Sequence, residues 1–267
     1  MEYQGNIIKM RTELAEPIRY YLPVGDTEVD MNALLDRHIR FRYDGQINCI
    51  CCGKRTKTSF GQGFCFSCFK TAPEASETVV NPELSMAHFG ISRDMEWSKA
   101  NDLIDHYVYL AVSREVKVGV TRGHQIPARW IDQGASYAIK MAKTPNRHIA
   151  GVIERFLKNY FTDKTNWRDM LQNNVNDHID LKAEKERAIH LLPAELQQYA
   201  SEDQNIVKLM YPVLEYPEKV TGLNFDKDPA VEGRLVGIKG QYLLFDNNRA
   251  VNIRRHNGYY LTMTVDV

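Results

Sequence analysis

Four cysteines in this 267-residue chain have the spacing of a metal site. Cys49 and Cys52 form one Cys-x-x-Cys pair, Cys65 and Cys68 a second, with twelve residues between the pairs. Two such knuckles can set four thiolates tetrahedrally around zinc at ~2.3 Å. Gly53, Gly61 and Gly63 suit the tight turns this requires. The ion's field lowers the thiol pKa values, so the ligands bind as thiolates. Cys51 falls outside both pairs. Four protein ligands leave no open coordination position, so the expected Zn(2+) is structural. Five cysteines are too few for a disulfide scaffold in a chain of this length, and paired Cys-x-x-Cys motifs in a reducing cytosol are more often metal sites; the competing reading is a redox pair or unliganded thiols. Lys54, Arg55 and Lys57 lie near Phe60, Phe64 and Phe66, a mixture that could meet a nucleic-acid backbone and its bases. Equally, the aromatics could pack a tiny core and leave the cations solvated.

A second concentration of chemistry lies between residues 106 and 168. Arg122, His124, Gln125, Arg129, Asp132 and Gln133 crowd a stretch interleaved with Ile126, Pro127 and Trp130, a mixture typical of a converging site. His124 could carry a proton or donate to a phosphate. Net charge is zero over the whole chain, but residues 106–168 hold eleven Lys and Arg against four Asp and Glu. Acidic stretches flank them: two against seven in residues 71–105, and six against thirteen in residues 169–232. Such a segment suits a surface facing phosphate, or it is neutralised by its acidic neighbours.

The elements that would position these groups read as follows. Residues 6–10, 18–24 and 38–43 are rich in β-branched and aromatic residues and predict strands, with turns at Gly25-Asp26 and Asp44-Gly45. The run 38–43 alternates, with one face buried and the other basic. Residues 71–105, with Pro73 and Pro82, read as an irregular connection holding a short helix near 97–104. Strands follow at 107–112 and 116–120 around a turn at 113–115. A short helix lies within 125–134, then a strand over 137–142. Ile149, Val152, Ile153, Phe156, Leu157 and Tyr160 make one stripe of a helix over 147–161 capped by Asn146. Glu154 sits at the edge of that stripe, and the small Ala150 and Gly151 are expected to leave a cleft above it. Residues 166–210 read as mostly helical, and strands return at 234–238, 242–245, 251–254 and 259–265.

In order, Tyr109, Lys117-Val118-Gly119, Arg129 and Glu154 fall on a strand, a second strand, a helix and a later helix. This order resembles the GIY-YIG nuclease superfamily. The resemblance implies that Tyr109 is the first motif's tyrosine and helps activate water. It implies that Gly119 is the second motif's glycine, that Arg129 holds phosphate, and that Glu154 binds a divalent ion. Asn166 falls where that superfamily often has an asparagine. The second motif's tyrosine is replaced by Lys117, which can still contact phosphate, and Arg129 lies further from Gly119 than is usual there. One Mg(2+) or Mn(2+), held by Glu154 and waters, would suit phosphodiester cleavage. The wider chain, through the cysteine ribbon, residues 117–135, 163–167 and 237–245, resembles a prokaryotic family known only as a domain of unknown function.

The expected fold is α+β: a small GIY-YIG-like α/β core with a zinc ribbon and flanking β-rich N- and C-terminal segments. The expected segments are 1–47 (β-rich), 48–70 (ribbon), 71–105 (linker), 106–168 (core), 169–230 (helical and acidic) and 231–267 (β-rich). No apolar run reaches the ~20 residues of a membrane span, and residues 1–12 lack an apolar signal core. A cytoplasmic protein acting on DNA or RNA, without a membrane, is expected. Three functions compete. The first is a zinc-containing, metal-dependent endonuclease, favoured by the joint presence of Tyr109, Arg129 and Glu154. The second, favoured by Lys117, is a nucleic-acid-binding module that no longer cleaves. The third is an adaptor whose basic centre docks an acidic protein.

Overall fold

The computed structural model describes residues 1–162, 166–176 and 178–266. The chain is α+β and divides into two compact units, Met1–Lys70 with Leu209–Val267, and Thr71–Lys208. Among the described residues no helix is long and apolar enough to cross a membrane.

The first unit is built on an eight-stranded sheet, with a three-stranded sheet beside it in sequence. Its longest strand, His38–Asn48, lies between Tyr259–Val265 and Ala230–Lys239, antiparallel to both. The alternation expected over 38–43 is present: Ile39 and Phe41 are buried, whereas His38, Arg40 and Arg42 are exposed. The basic face is partly neutralised, because Arg40 pairs with Glu232 and Arg42 with Asp44. The first strand is Glu2–Asn6 rather than 6–10, because its backbone pairs with Tyr259–Val265. Ile7 and Met10 are buried as their types predict. The Met10 amide, however, donates to Gln241 Oε1 at 2.7 Å instead of to a neighbouring strand. The strand expected over 251–254 is Arg249–Asn252, and Arg254–His256 forms a 3₁₀ turn.

The second unit holds a four-stranded antiparallel sheet. His106–Val112 is flanked by Val116–Arg122 on one side and Tyr137–Thr144 on the other, and the short Val207–Lys208 pairs with the latter. Val108, Leu110 and Val112 join one core cluster with Ile153 and Leu157 of the helix Arg147–Leu157. Tyr109, on the opposite side of the strand by its two-residue period, packs against Trp130 with ring centroids 6.0 Å apart. The helix starts where expected, since the Asn146 side chain accepts from the Ile149 amide at 3.0 Å. It ends earlier, at Leu157. Residues 166–210 are less helical than their composition suggests, with helices only at Trp167–Leu171, Leu181–Leu191 and Ala194–Gln197 among the described residues.

Residues 71–105 form a run of 3₁₀ turns and the helix Met95–Asn101; the turn Pro82–Leu84 packs on the helix Arg147–Leu157, and Arg122 of the sheet donates to the Asn101 carbonyl. The buried Arg147 donates to the carbonyls of Thr78 and Val79 at 2.8 and 2.9 Å. The expected cleft above Gly151 is filled. A Cβ on Gly151 would lie 2.1 Å from the Glu83 backbone nitrogen, because the turn Pro82–Leu84 sits directly on the glycine. Gly151 is therefore a packing residue. Alanine is the better helix former by ~1 kcal/mol, but the contact is with backbone, which cannot swing aside. Gly151→Ala is expected to destabilise the protein by about 1–3 kcal/mol, read as a lower urea midpoint with unchanged m-value. A stabilised variant would overturn this account.

Candidate functional site

The four ribbon cysteines meet. Their Sγ atoms all lie within 4.8 Å of one another, with Cys52 and Cys65 at 3.9 Å. A tetrahedron with ~2.3 Å zinc–sulfur bonds has edges of about 3.8 Å, so this cluster can hold a metal ion such as zinc. Cys49 follows the strand His38–Asn48 and turns back through Gly53, whose φ of 71° is in the left-handed region. Cys65 ends a tight Phe60–Phe64 turn, and Cys68 lies on the helix Phe66–Thr71. Burial disfavours ionisation of Cys49. The amides of Cys52, Cys65 and Cys51 outweigh it and hold the thiol at about 6. Cys51 is exposed and outside the cluster. Phe60 packs on Phe66 and Phe69 at 5.5 and 5.9 Å, a small core, although Phe66 itself stays 59% exposed. Lys54, Arg55 and Lys57 are exposed in the same unit.

The other cluster lies in the second unit. Tyr109 faces Gly119 across the hairpin, and a Cβ there would come 2.6 Å from the Tyr109 hydroxyl. The side chain of Gln133 then accepts twice at one atom. Tyr109 Oη donates to Gln133 Oε1 at 2.8 Å, and Lys117 Nζ donates to the same oxygen at 2.7 Å. Gln133 follows the helix Ala128–Asp132, which also carries Arg129. Burial pushes the Tyr109 hydroxyl up, an effect that Arg129 opposes and Glu154 reinforces. Burial, aided by repulsion from Arg129, pulls Lys117 down to about 7. Glu154 is buried and ion-paired to Lys158 at 3.5 Å.

Arg129 thus acts on both Tyr109 and Lys117, and Glu154 acts on Tyr109. Arg122 and His124 are placed differently. Arg122 donates to the Asn101 carbonyl at 2.8 Å and lies 5.2 Å from the Trp97 ring centroid, so it ties the sheet to the helix Met95–Asn101. His124 is exposed in the 3₁₀ turn Gly123–Gln125. Asn166 caps the helix Trp167–Leu171 and lines a cavity of about 490 Å³ together with Ser113, Arg114, Lys117 and Thr162. The polar run in the sequence contains Gln133, but its role as the shared acceptor arises only from strand pairing.

The chain is therefore an α+β protein with a four-cysteine cluster able to hold a metal. The family model described as "Protein of unknown function (DUF2797)" matches residues 36–261, and the chain belongs to that family. Neither the curated proteins nor the solved structures contain a match.

Two measurements test these sites. One zinc ion per chain is expected by elemental analysis. Cys52→Ser or Cys65→Ser should lose it and unfold the ribbon, whereas Cys51→Ser should keep it. For Lys117, the unfolded chain keeps the proton up to about 10.5 and the folded chain releases it near 7. Between those values the unfolded state binds more protons, so stability should rise with pH. Lys117→Met should remove this dependence and raise the melting temperature at pH 7, with the gain vanishing above pH 10.5.

Proposed function

We propose that this is a nucleic-acid-processing protein whose Thr71–Lys208 unit is a GIY-YIG-like, divalent-metal-dependent endonuclease core. One observation carries the reading: Tyr109 and Lys117, from adjacent antiparallel strands, share the Gln133 oxygen beside Arg129. It is supported by the order of elements, a hairpin, a short helix, a third strand pairing with the first, and the helix bearing Glu154.

In this reading Arg129 neutralises a phosphate, and Lys117 adds positive charge when protonated. The Tyr109 hydroxyl, fixed by Gln133, orients the attacking water. The water oxygen bonds to phosphorus, the bond to the leaving oxygen breaks, and the water's proton leaves to solvent. Glu154 would hold a Mg(2+) or Mn(2+) ion, which suits one carboxylate with several waters and supplies Lewis-acid stabilisation when bound. The excess of Lys and Arg in residues 106–168 suits phosphate. The replacement of the second motif's tyrosine by Lys117 favours one other reading, a nucleic-acid-binding module that no longer cleaves.

The test is incubation of the pure protein with DNA and RNA in manganese and then in EDTA. Metal-dependent cleavage is expected. Glu154→Gln should abolish it while preserving folding and binding, and Tyr109→Phe should slow it by about 10²-fold. Affinity should fall steeply with salt as counterions are released, and Arg129→Ala should weaken it across all sequences. Equal cleavage by wild type and Glu154→Gln would refute the site. Salt-sensitive binding without cleavage would favour the binding module.

A further inference from the structure

We infer that the turns between residues 77 and 91 form a docking surface for a basic amphipathic helix of a partner protein. Large apolar side chains crowd this stretch at the surface. Val79, Val80, Leu84, Met86, Phe89 and Ile91 are all exposed, with Val80, Phe89 and Ile91 at 74, 70 and 58%. Single exposed apolar residues are ordinary, but several gathered in one region mark an interaction site. Contacts join these into one surface. The turn Glu77–Val79 packs on the turn Pro82–Leu84. Met86 and Ile91 form a β-bridge. Leu84, Met86 and Ile91 line one cavity of about 270 Å³, and Pro73 and Trp97 are its other apolar lining. The polar lining is Thr78, four serines, Arg93 and Asp102, with one charge of each sign.

The surface is fixed before anything binds to it. Arg147 donates to the carbonyls of Thr78 and Val79, and the backbone of Pro82–Leu84 rests on Gly151. Gly90, with φ of 78°, closes the turn Ala87–Phe89. The His88 ring lies 4.0 Å from that of Phe89 and 4.5 Å from that of His148 on the helix Arg147–Leu157. A surface held this way loses little conformational freedom when a partner docks.

Charge selects the occupant. Residues 71–92 hold Glu74, Glu77 and Glu83 and no Lys or Arg. Glu77 shares a turn with Val79, and Glu83 precedes Leu84. Among the described residues neither Glu77 nor Glu83 makes an ion pair. Beyond residue 92, Arg93 and Lys99 stand against Asp94 and Glu96. An apolar face flanked by carboxylates repels a phosphate backbone. It also opposes a second copy of itself, because a symmetric pair would bring like charges together. Lys and Arg beside apolar anchors complement it. The backbone further narrows the choice. The amides of Val80, Leu84 and Gly90 close 3₁₀ turns onto Glu77, Asn81 and Ala87, so these turns offer no strand edge to extend. Recognition then falls to side chains, as when a helix lays apolar residues at i, i+3, i+4 and i+7 into a groove.

The experiment selects displayed random 16-residue peptides on the full chain at pH 7.5, with counter-selection on the Phe89→Ser, Ile91→Ser double variant. The enriched peptides should carry apolar residues at helical spacing and a net positive charge. The most enriched one, synthesised and labelled, should gain helical circular dichroism on binding. Its affinity, read by fluorescence anisotropy, should fall at least tenfold with the double variant. Val80→Ser and Glu77→Lys, which take no part in the selection, should each weaken it at least threefold at unchanged melting temperature. They carry the test if the double variant fails to fold. Leu214→Ser, an exposed apolar position in the other unit, should leave affinity unchanged. The inference is overturned if no peptide is enriched, if the enriched ones are neutral or acidic, or if Val80→Ser and Glu77→Lys bind as wild type does. A dimer in sedimentation equilibrium that Val80→Ser abolishes would place a second copy on this face and overturn the partner helix.

Discussion

The Tyr109 side chain lies across Gly119, and any larger residue there would put its Cβ 2.6 Å from the phenol oxygen. That close approach lets a large aromatic lie fully buried against a strand and still bring its hydroxyl to Gln133. Lys117, two residues before Gly119 on the same strand, points to the same face and reaches the same oxygen. One missing Cβ therefore permits a tyrosine, a lysine and a glutamine to converge from a hairpin and a short helix.

The second unit buries more charge than stability alone would favour. Lys117, Arg147, Asp102 and Glu154 are all at least nine-tenths buried. Some of it is compensated structurally. Arg147 donates to two carbonyls and lies 3.9 Å from Asp102, and these contacts fasten residues 71–105 to the helix Arg147–Leu157. His106, fully buried, is pushed down to about 4 by desolvation and so stays neutral. Lys117 donates to a neutral amide oxygen shared with a phenol, and the Arg129 guanidinium acts on it. An ammonium in that setting is costly. Perturbed groups of this sort gather at functional sites.

How much could be read from the sequence followed from the range of the interactions. The hairpin and third strand of the second unit were legible from dense β-branched and aromatic runs, and the helix start from Asn146. The cysteine cluster was legible because its ligands come in local pairs. Residues 71–105 were not, because 3₁₀ turns have no hydrophobic period and are held by remote groups such as Arg147. Gly151 misled for the same reason: a small residue beside an acid suggests space, but the backbone of Pro82–Leu84 occupies it. The shift of the first strand to Glu2–Asn6 depends on a partner more than 250 residues away in the chain.

The two clusters differ in what they leave open. The ribbon offers four thiols to one ion, and a tetrahedral zinc so held has no position for a substrate. Its contribution is to close a segment too short to bury a core of its own, with Phe60, Phe64 and Phe69 packed around the turns. The Gln133 cluster has a different character: a phenol and an amine share one amide oxygen, and Glu154 nearby pairs with Lys158. Lys117 is also among the residues that line the cavity of about 490 Å³. A fold that needed only stability would place an apolar residue at position 117, because desolvating an amine beside Arg129 costs free energy that a methionine would not. The lysine instead ties the second strand of the hairpin to the Gln133 oxygen that Tyr109 also reaches.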